Sequence, residues 1–216
     1  MKLRAYRQWQ DGIAVDGPAA SGKGTVGSAL ARHYGVPYLD TGLLYRAVGV
    51  QAQREGGLEE IIAQSAAQAL DTALLDDPAT RTREAGEWAS RVAAFPGVRA
   101  ALLDYQRQFA ARDGGAVLDG RDIGTVIAPQ APAKLFVTAS PRVRATRRWK
   151  QLLGQGETVS FEDVMADIAR RDARDSGRAD APLVQAADAY LLDTSEMTID
   201  HAFAEARRLV EQALGR

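Results

Sequence analysis

The chain has no cysteine and only two histidines among its 216 residues. The first absence excludes disulfides and thiolate chemistry, and His33 and His201 leave little for a zinc cluster. Proline contributes eight residues and aromatics 6%, so neither a low-complexity nor a collagen-like chain is in question. No stretch approaches the roughly 18 uninterrupted apolar residues of a membrane span. The opening MKLRAYRQWQDG is too polar for a secretory signal, because no apolar core of about 7 to 15 residues follows its basic start. Net charge is lacking as well: 27 basic residues stand against 28 acidic ones, and no global basic field attracts nucleic acid. A cytoplasmic protein without membrane or nucleic-acid partners is expected, and a monomer, since no strong dimer signal is visible.

What is present suits a folded domain. Hydrophobic residues make up 46% and charged residues 25%, enough for one well-buried domain or one domain carrying small lobes. Only four of the basic residues are lysines: Lys2, Lys23, Lys134 and Lys150. The arginines that make up the rest favour bidentate contacts with phosphate and carboxylate. A GC-rich coding sequence would give the same bias, so Lys23 stands out by position, not by rarity.

Strand and helix patterns alternate. Ile13 to Val15 is an apolar run, followed by a glycine-rich turn and a helix from Gly22 to Tyr34 that buries Val26 and Leu30. Val36 to Asp40 reads as a second strand, with Leu43 to Arg54 and Leu58 to Leu70 as helices; Leu58, Ile61, Ile62 and Leu70 are the expected apolar positions of the latter. Asp76-Asp77-Pro78 signals a turn. Helices resume over Glu84 to Ala94 and Gly97 to Arg112, broken by Pro96. Further strands are expected at Ala116 to Leu118, Lys134 to Thr138 and Leu191 to Asp193, and a last helix over Thr198 to Leu214. Two arginine-dense helices, Pro141 to Leu153 and Ser160 to Ser176, form a candidate mobile hairpin. Strands separated by helices imply a parallel sheet covered on both faces, an α/β fold.

Gly17-Pro18-Ala19-Ala20-Ser21-Gly22-Lys23-Gly24-Thr25 lies between a predicted strand and a predicted helix. Glycines there let backbone N–H groups converge on phosphates, and the helix N-terminus adds positive potential. Lys23 is placed to reach terminal phosphates, and Thr25 to approach phosphate or a magnesium-associated water. Gly24 intervenes where the usual phosphate loop has Ser or Thr directly after Lys. A nucleoside triphosphate site follows. Val117-Leu118-Asp119 ends in a carboxylate suited to Mg²⁺ or its water shell, and Gly120, Arg121, Asp122 and Gly124 continue as a compact polar loop.

Opposite the loop, Thr41 caps or binds, Arg46 pairs with phosphate, and Tyr45 reads as packing. Arg99, Arg171, Arg174 and Arg178, interleaved with Asp172 and Asp175, are either phosphate contacts or a salt-bridged charged face. Phosphoryl transfer needs charge held on donor and acceptor and water excluded, which a lysine loop facing a hairpin of arginines supplies. The guanine-reading Asn-Lys-x-Asp element of GTPases is absent from the sequence.

The chain resembles the bacterial cytidylate kinases over nearly its whole length. The likeness is carried by DGPAASGKGT (Asp16 to Thr25), LDTGLLYR (Leu39 to Arg46), RVAAFPGVR (Arg91 to Arg99), LDGRDIGTVIAP (Leu118 to Pro129) and RRDARDSGRADAPL (Arg170 to Leu183). The resemblance implies a P-loop NTPase fold, a five-stranded parallel sheet flanked by helices with a monophosphate-binding lobe and a lid. It divides the chain into core (1–56), a reduced monophosphate lobe (57–95), core (96–145), lid (146–180) and core (181–216). It implies phosphoryl transfer from ATP to CMP or dCMP with Mg²⁺. ATP would lie along Gly17 to Thr25; Arg46 and Arg121 would hold the acceptor phosphate; Ser90, Arg99 and Asp122 would read cytosine. Thr41, Arg171 and Asp175 match residues near the acceptor ribose, and Arg178 a lid arginine. Lys23, Arg121, Arg171 and Arg178 are the expected catalytic set, with Thr25 and Asp119 at the metal. Asp122 can accept from the cytosine amino group and Arg99 can donate to its acceptors, whereas UMP sets a carbonyl against the carboxylate. No histidine base is expected, because the acceptor phosphate is already anionic.

The stretch upstream of Arg81 is short for this family, and Thr41 stands where serine also occurs. Two rival readings are a small phosphate-loop kinase for shikimate or gluconate, and a nucleotide-binding module contacting RNA through Arg142, Arg144, Arg147, Arg148 and Lys150.

Overall fold

A computed structural model describes residues 12–216; Trp9, which the sequence leaves equally open to packing on the core and to a functional role, lies outside the described residues. Five parallel strands form one sheet in the order β2-β3-β1-β4-β5. They are β1 (Ile13–Asp16), β2 (Tyr38–Asp40), β3 (Val117–Gly120), β4 (Ala133–Thr138) and β5 (Tyr190–Asp193). Every residue of β1 and β3 is buried, as befits parallel strands covered on both faces.

Alternation sends Ala14 and Leu118 to one face and Ile13, Val15 and Val117 to the other. The first face packs on α2 (Thr41–Glu55), α3 (Glu60–Gln68) and α5 (Pro96–Ala110) through Leu44, Val48, Leu102 and Phe109. The second meets α1 (Lys23–Tyr34) and α8 (Ile199–Ala213) through Val26, Leu30, Leu209 and Val210. Between α3 and α5 lie two single 3₁₀ turns, Thr72–Leu75 and Pro78–Arg81, and α4 (Arg83–Val92). The reduced 57–95 segment therefore holds helices and turns and no strand. Its helix α3 shares one continuous core with the sheet, through Ala63, Ala66 and Ala67.

The expected apolar face holds except at one position: Leu58 is buried and Ile62 and Leu70 pack on the core beside the buried alanines, whereas Ile61 is 80% exposed. Pro96, expected as a break, instead opens α5, and Pro141 opens a helix as expected. Pro96 and Pro141 each occupy the first turn of a helix, where a missing N–H costs nothing. Pro141 opens α6 (Pro141–Gly154), which with α7 (Phe161–Ser176) forms the antiparallel hairpin expected as the lid. The hairpin has a small core of its own, Ala145, Leu152, Val164 and Ile168. The Gly120–Gly124 segment is not a plain loop: it runs into one turn of π-helix at Ile123–Ile127.

Candidate active site

The register brings acidic side chains together at the carboxyl ends of three adjacent strands. Asp40 of β2 stands opposite Asp119 of β3, and Asp16 of β1 opposite Gly120. Ligands of open α/β sheets bind beyond this edge. The phosphate loop leaves β1 here. Gly17 has φ 153°, and a Cβ there would lie 2.0 Å from the Val137 carbonyl oxygen, so only glycine fits. Gly22 (φ 93°) turns the chain into α1, whose first residue is Lys23. Loop carbonyls are gripped from the hairpin and β5 side: Arg144 Nη1 donates to Ala19 O at 3.3 Å, while Arg147 Nη1 (3.3 Å) and Thr194 Oγ1 (2.9 Å) donate to Ser21 O. With these acceptors engaged, the loop presents N–H groups and the α1 N-terminus to an anion.

Lys23, Thr41, Arg46, Ser90, Arg99 and Arg121 line one cavity with Asp122, Arg171, Asp175 and Arg178. All ten residues expected for catalysis or CMP binding thus converge, from helices α1, α2, α4, α5 and α7 and the segments following β3 and α7. Thr41 begins α2, capped by Asp40 accepting from Leu43 N, and its own Oγ1 donates to Asp119 O at 2.7 Å. Arg121 donates to Asp175 Oδ2 at 2.7 Å, and Arg178 binds the other oxygen of the same buried carboxylate. Burial opposes the Asp175 charge, yet the two guanidinium groups hold its carboxyl below the usual range. Arg99 is ion-paired with Asp122, both buried, and also donates to Tyr45 Oη at 3.4 Å. Tyr45, read from sequence as packing, is therefore also a support for Arg99.

Elsewhere the cavity has cation in excess. Burial lowers Arg46 to a pKa of about 10, with Arg148 the next cause; Arg171 falls to about 10 by burial and by Arg46. Lys23 is lowered too, by burial and then by Arg121. Nη2 of Arg148 and Nε of Arg171 and Arg178 are buried with no hydrogen-bond partner. Like charges gathered in a buried place, with donors left over, match a polyanionic ligand. The cavity measures about 190 Å³, below the ~300 Å³ at which small-molecule pockets usually begin.

A second cavity of about 450 Å³ lies on the other side of the loop, lined by Thr25, Val26, Ala29, Thr194, Met197 and Phe203. Ala20, Arg148 and Gln151 border both. Two ligands can thus approach each other across the phosphate loop. Thr25 belongs to this second cavity. Asp119 is buried beneath the first, with Oδ2 accepting from Tyr38 Oη at 2.7 Å and Oδ1 without a hydrogen-bond partner. Burial raises its pKa to about 7, opposed first by Lys23. The sequence reading missed Asp40, Gln151 and the inward role of Arg148; the one-turn spacing of Arg144 and Arg148 on α6 was the available signal.

The cytidylate kinase family model matches residues 13–212. The cytidylate kinase of Caulobacter vibrioides is 68% identical over 206 residues, covering 94% of this chain and 97% of that one. This chain belongs to the cytidylate kinase family. Other cytidylate kinases are similar over comparable spans, that of Xanthobacter autotrophicus at 64% (92% of this chain, 96% of that one) and that of Brucella ovis at 51% (94% of each). Among solved structures, an uncharacterized protein from Eubacterium ventriosum aligns at TM-score 0.53 and 12% identity, over 96% of this chain and 99% of that one. A gluconokinase from Sinorhizobium meliloti aligns at 0.50 and 18%, over 97% and 98%. At such identity these likenesses show the shared α/β fold alone and carry nothing about the acceptor.

Proposed function

We propose that the chain transfers the γ-phosphoryl group of ATP to CMP or dCMP, giving ADP and CDP or dCDP. The observation that carries the reading is the cluster of buried guanidinium groups and Lys23 about one cavity, with the Arg99–Asp122 pair at its acceptor end. ATP would occupy the second cavity with its phosphates along Gly17 to Thr25. CMP would enter the first, with its phosphate on Arg46 and Arg121 and its base against Ser90, Arg99 and Asp122. Thr41, Arg171 and Asp175 would border the ribose. An oxygen of the CMP phosphate attacks Pγ, the bond from Pγ to the β–γ bridging oxygen breaks, and ADP leaves with that oxygen. Lys23, Arg121, Arg171 and Arg178 hold the charge spread over the transferred group.

The free Oδ1 of buried Asp119 fits Mg²⁺, which takes one or two carboxylates and keeps several waters. Asp119 would hold it, with Thr25 contributing through water, and the ion would neutralise charge on the ATP phosphates. His33 and His201 are exposed, and neither lines the two cavities. This supports a reaction without an imidazole base. The RNA-binding alternative loses support from Arg144 and Arg147, which turn inward onto Asp172 and Thr194. No helix among the described residues is long and apolar enough to cross a membrane. The proposal includes a monomer acting in the cytoplasm.

A coupled ADP-release assay with Mg-ATP tests it, using CMP, dCMP, UMP, AMP and shikimate in parallel and water as control. Strong turnover with CMP and dCMP and weak turnover with UMP is expected. Turnover of AMP or shikimate instead would keep the fold and overturn the acceptor site.

A further inference from the structure

Asp16 closes β1, one residue before the phosphate loop, and it is 5% exposed. Its carboxylate does not face the loop that follows it. Oδ1 accepts from Ile123 N and Oδ2 from Gly124 N, each at 2.8 Å. Those two N–H groups open the π-turn Ile123–Ile127, and the residue immediately before them is Asp122. The π-turn has no side-chain cap of its own from Asp122. Asp16 thus does from another strand what a cap does locally: it fixes the direction in which the chain leaves Asp122.

We infer that Asp16 is a positioning residue for base recognition, clamping the Ile123–Gly124 backbone so that Asp122 and Arg121 face the acceptor nucleotide. This rests on the acceptor reading above. The two ends of the clamp are unequally supported. β1 is hydrogen-bonded to β3 on one side and β4 on the other, so Asp16 and the start of the phosphate loop are held without the clamp. The 121–124 segment lies past the end of β3 and lacks such ladders. Breaking the clamp therefore frees the acceptor side and leaves the donor side in place. Gly124 gives the same picture from the other partner: a Cβ there would lie in ordinary contact with Asp16 Oδ2 at 3.4 Å, so the carboxylate sits directly against this stretch of backbone. Burial raises the Asp16 pKa to about 6, the energetic cost of placing a carboxylate here, which the two N–H donors offset.

Asp16→Asn tests the inference, because its amide turns one acceptor into a donor facing an N–H. KM and kcat are measured for CMP and UMP, and ATP affinity by equilibrium binding. The expected result is a loss of about tenfold or more in kcat/KM for CMP, a narrowed CMP/UMP ratio, and unchanged ATP affinity. Asp16→Glu keeps the charge and displaces the clamp by one methylene, so an intermediate ratio is expected. A ratio unchanged in both variants, or parallel loss of ATP and CMP binding in both, assigns Asp16 to stability and overturns the inference. Wild type in the same assay separates the questions. No CMP turnover by wild type would sink the acceptor reading, whereas a competent wild type with unshifted variants would sink this inference alone.

Discussion

The two walls of the acceptor cavity are built differently. The wall carrying Thr41, Arg46, Ser90 and Arg99 stands on α2, α4 and α5, whose apolar faces merge into the core beneath the sheet. The wall carrying Arg148, Arg171, Asp175 and Arg178 stands on and just beyond the α6–α7 hairpin, which has its own small apolar cluster. The hairpin meets the opposite wall largely through charges. Arg83 donates to Asp167 at 2.6 Å and Arg174 to Glu87 at 2.7 Å, joining α4 to α7. Apolar merging makes one cooperative body, whereas these two pairs are only partly buried, and exposed pairs contribute about 0.2–1 kcal/mol each. On this contrast, opening of the α6–α7 hairpin is the expected motion, with the helical segment beside it staying on the core. The 57–95 segment, which has no strand, is tied to the sheet through that shared core.

Chemistry should depend most on what the fixed floor supplies. Lys23→Ala removes the loop cation and is expected to lower kcat by about 10²–10³, with thermal unfolding unchanged. Near-normal turnover would remove Lys23 from the mechanism and leave the lid arginines as the principal source of charge. The core contrast comes next. Leu102→Ala empties space in the shared core and should destabilise the whole chain by about 2–5 kcal/mol in denaturant titration. Leu152→Ala makes the same change in the lid cluster. It should lower turnover and expose the hairpin to protease while the main unfolding transition barely shifts. Equal shifts in both variants would show that the lid is part of the single cooperative unit.

Legibility in the sequence followed the same division. The phosphate loop, Asp119, Arg121 and Asp122 could be placed because each lies within a few residues of a strand end, where local pattern fixes position. The five strands were readable for the same reason, as short apolar runs bounded by Gly, Pro and Asp. Three things were not. Ile61 is exposed while its neighbours Ile62, Ala63, Ala66 and Ala67 meet the core, a choice of face that the composition of residues 58–70 alone does not reveal. The π-turn at Ile123–Ile127 depends on Asp16, more than a hundred residues away in the chain. Arg148 looked like part of a surface patch until the hairpin folded back and buried its Nη2. The arginine-rich stretch around Asp175 was equally open to a salt-bridge reading and a phosphate reading; the ion pairs are there, Asp175 joining Arg121 and Arg178 at the cavity.

Specificity should rest on the fixed wall and should be separable from lid closure. Asp122→Asn substitutes an amide that can donate to a uracil carbonyl. It is expected to narrow the CMP/UMP ratio of kcat/KM by about tenfold while leaving ATP affinity alone. An unchanged ratio would move base reading to Ser90 or to the backbone.

The smallest effect should come from the contact between the walls. Glu87 accepts from Arg174 at 2.7 Å and lies 3.9 Å from Arg171 Nε, yet its side chain is 35% exposed. Screening at that exposure limits the pair to about 0.2–1 kcal/mol, so Glu87→Gln should raise KM for CMP by no more than about fivefold. Its signature is the salt dependence. Added salt weakens the α4–α7 contact in the wild type and has less left to weaken in the variant, so the KM curves of the two should converge at high ionic strength. Parallel curves would mean that Glu87 acts on Arg171 inside the cavity and not on lid closure, and the charge contact between the walls would then reduce to Arg83 and Asp167.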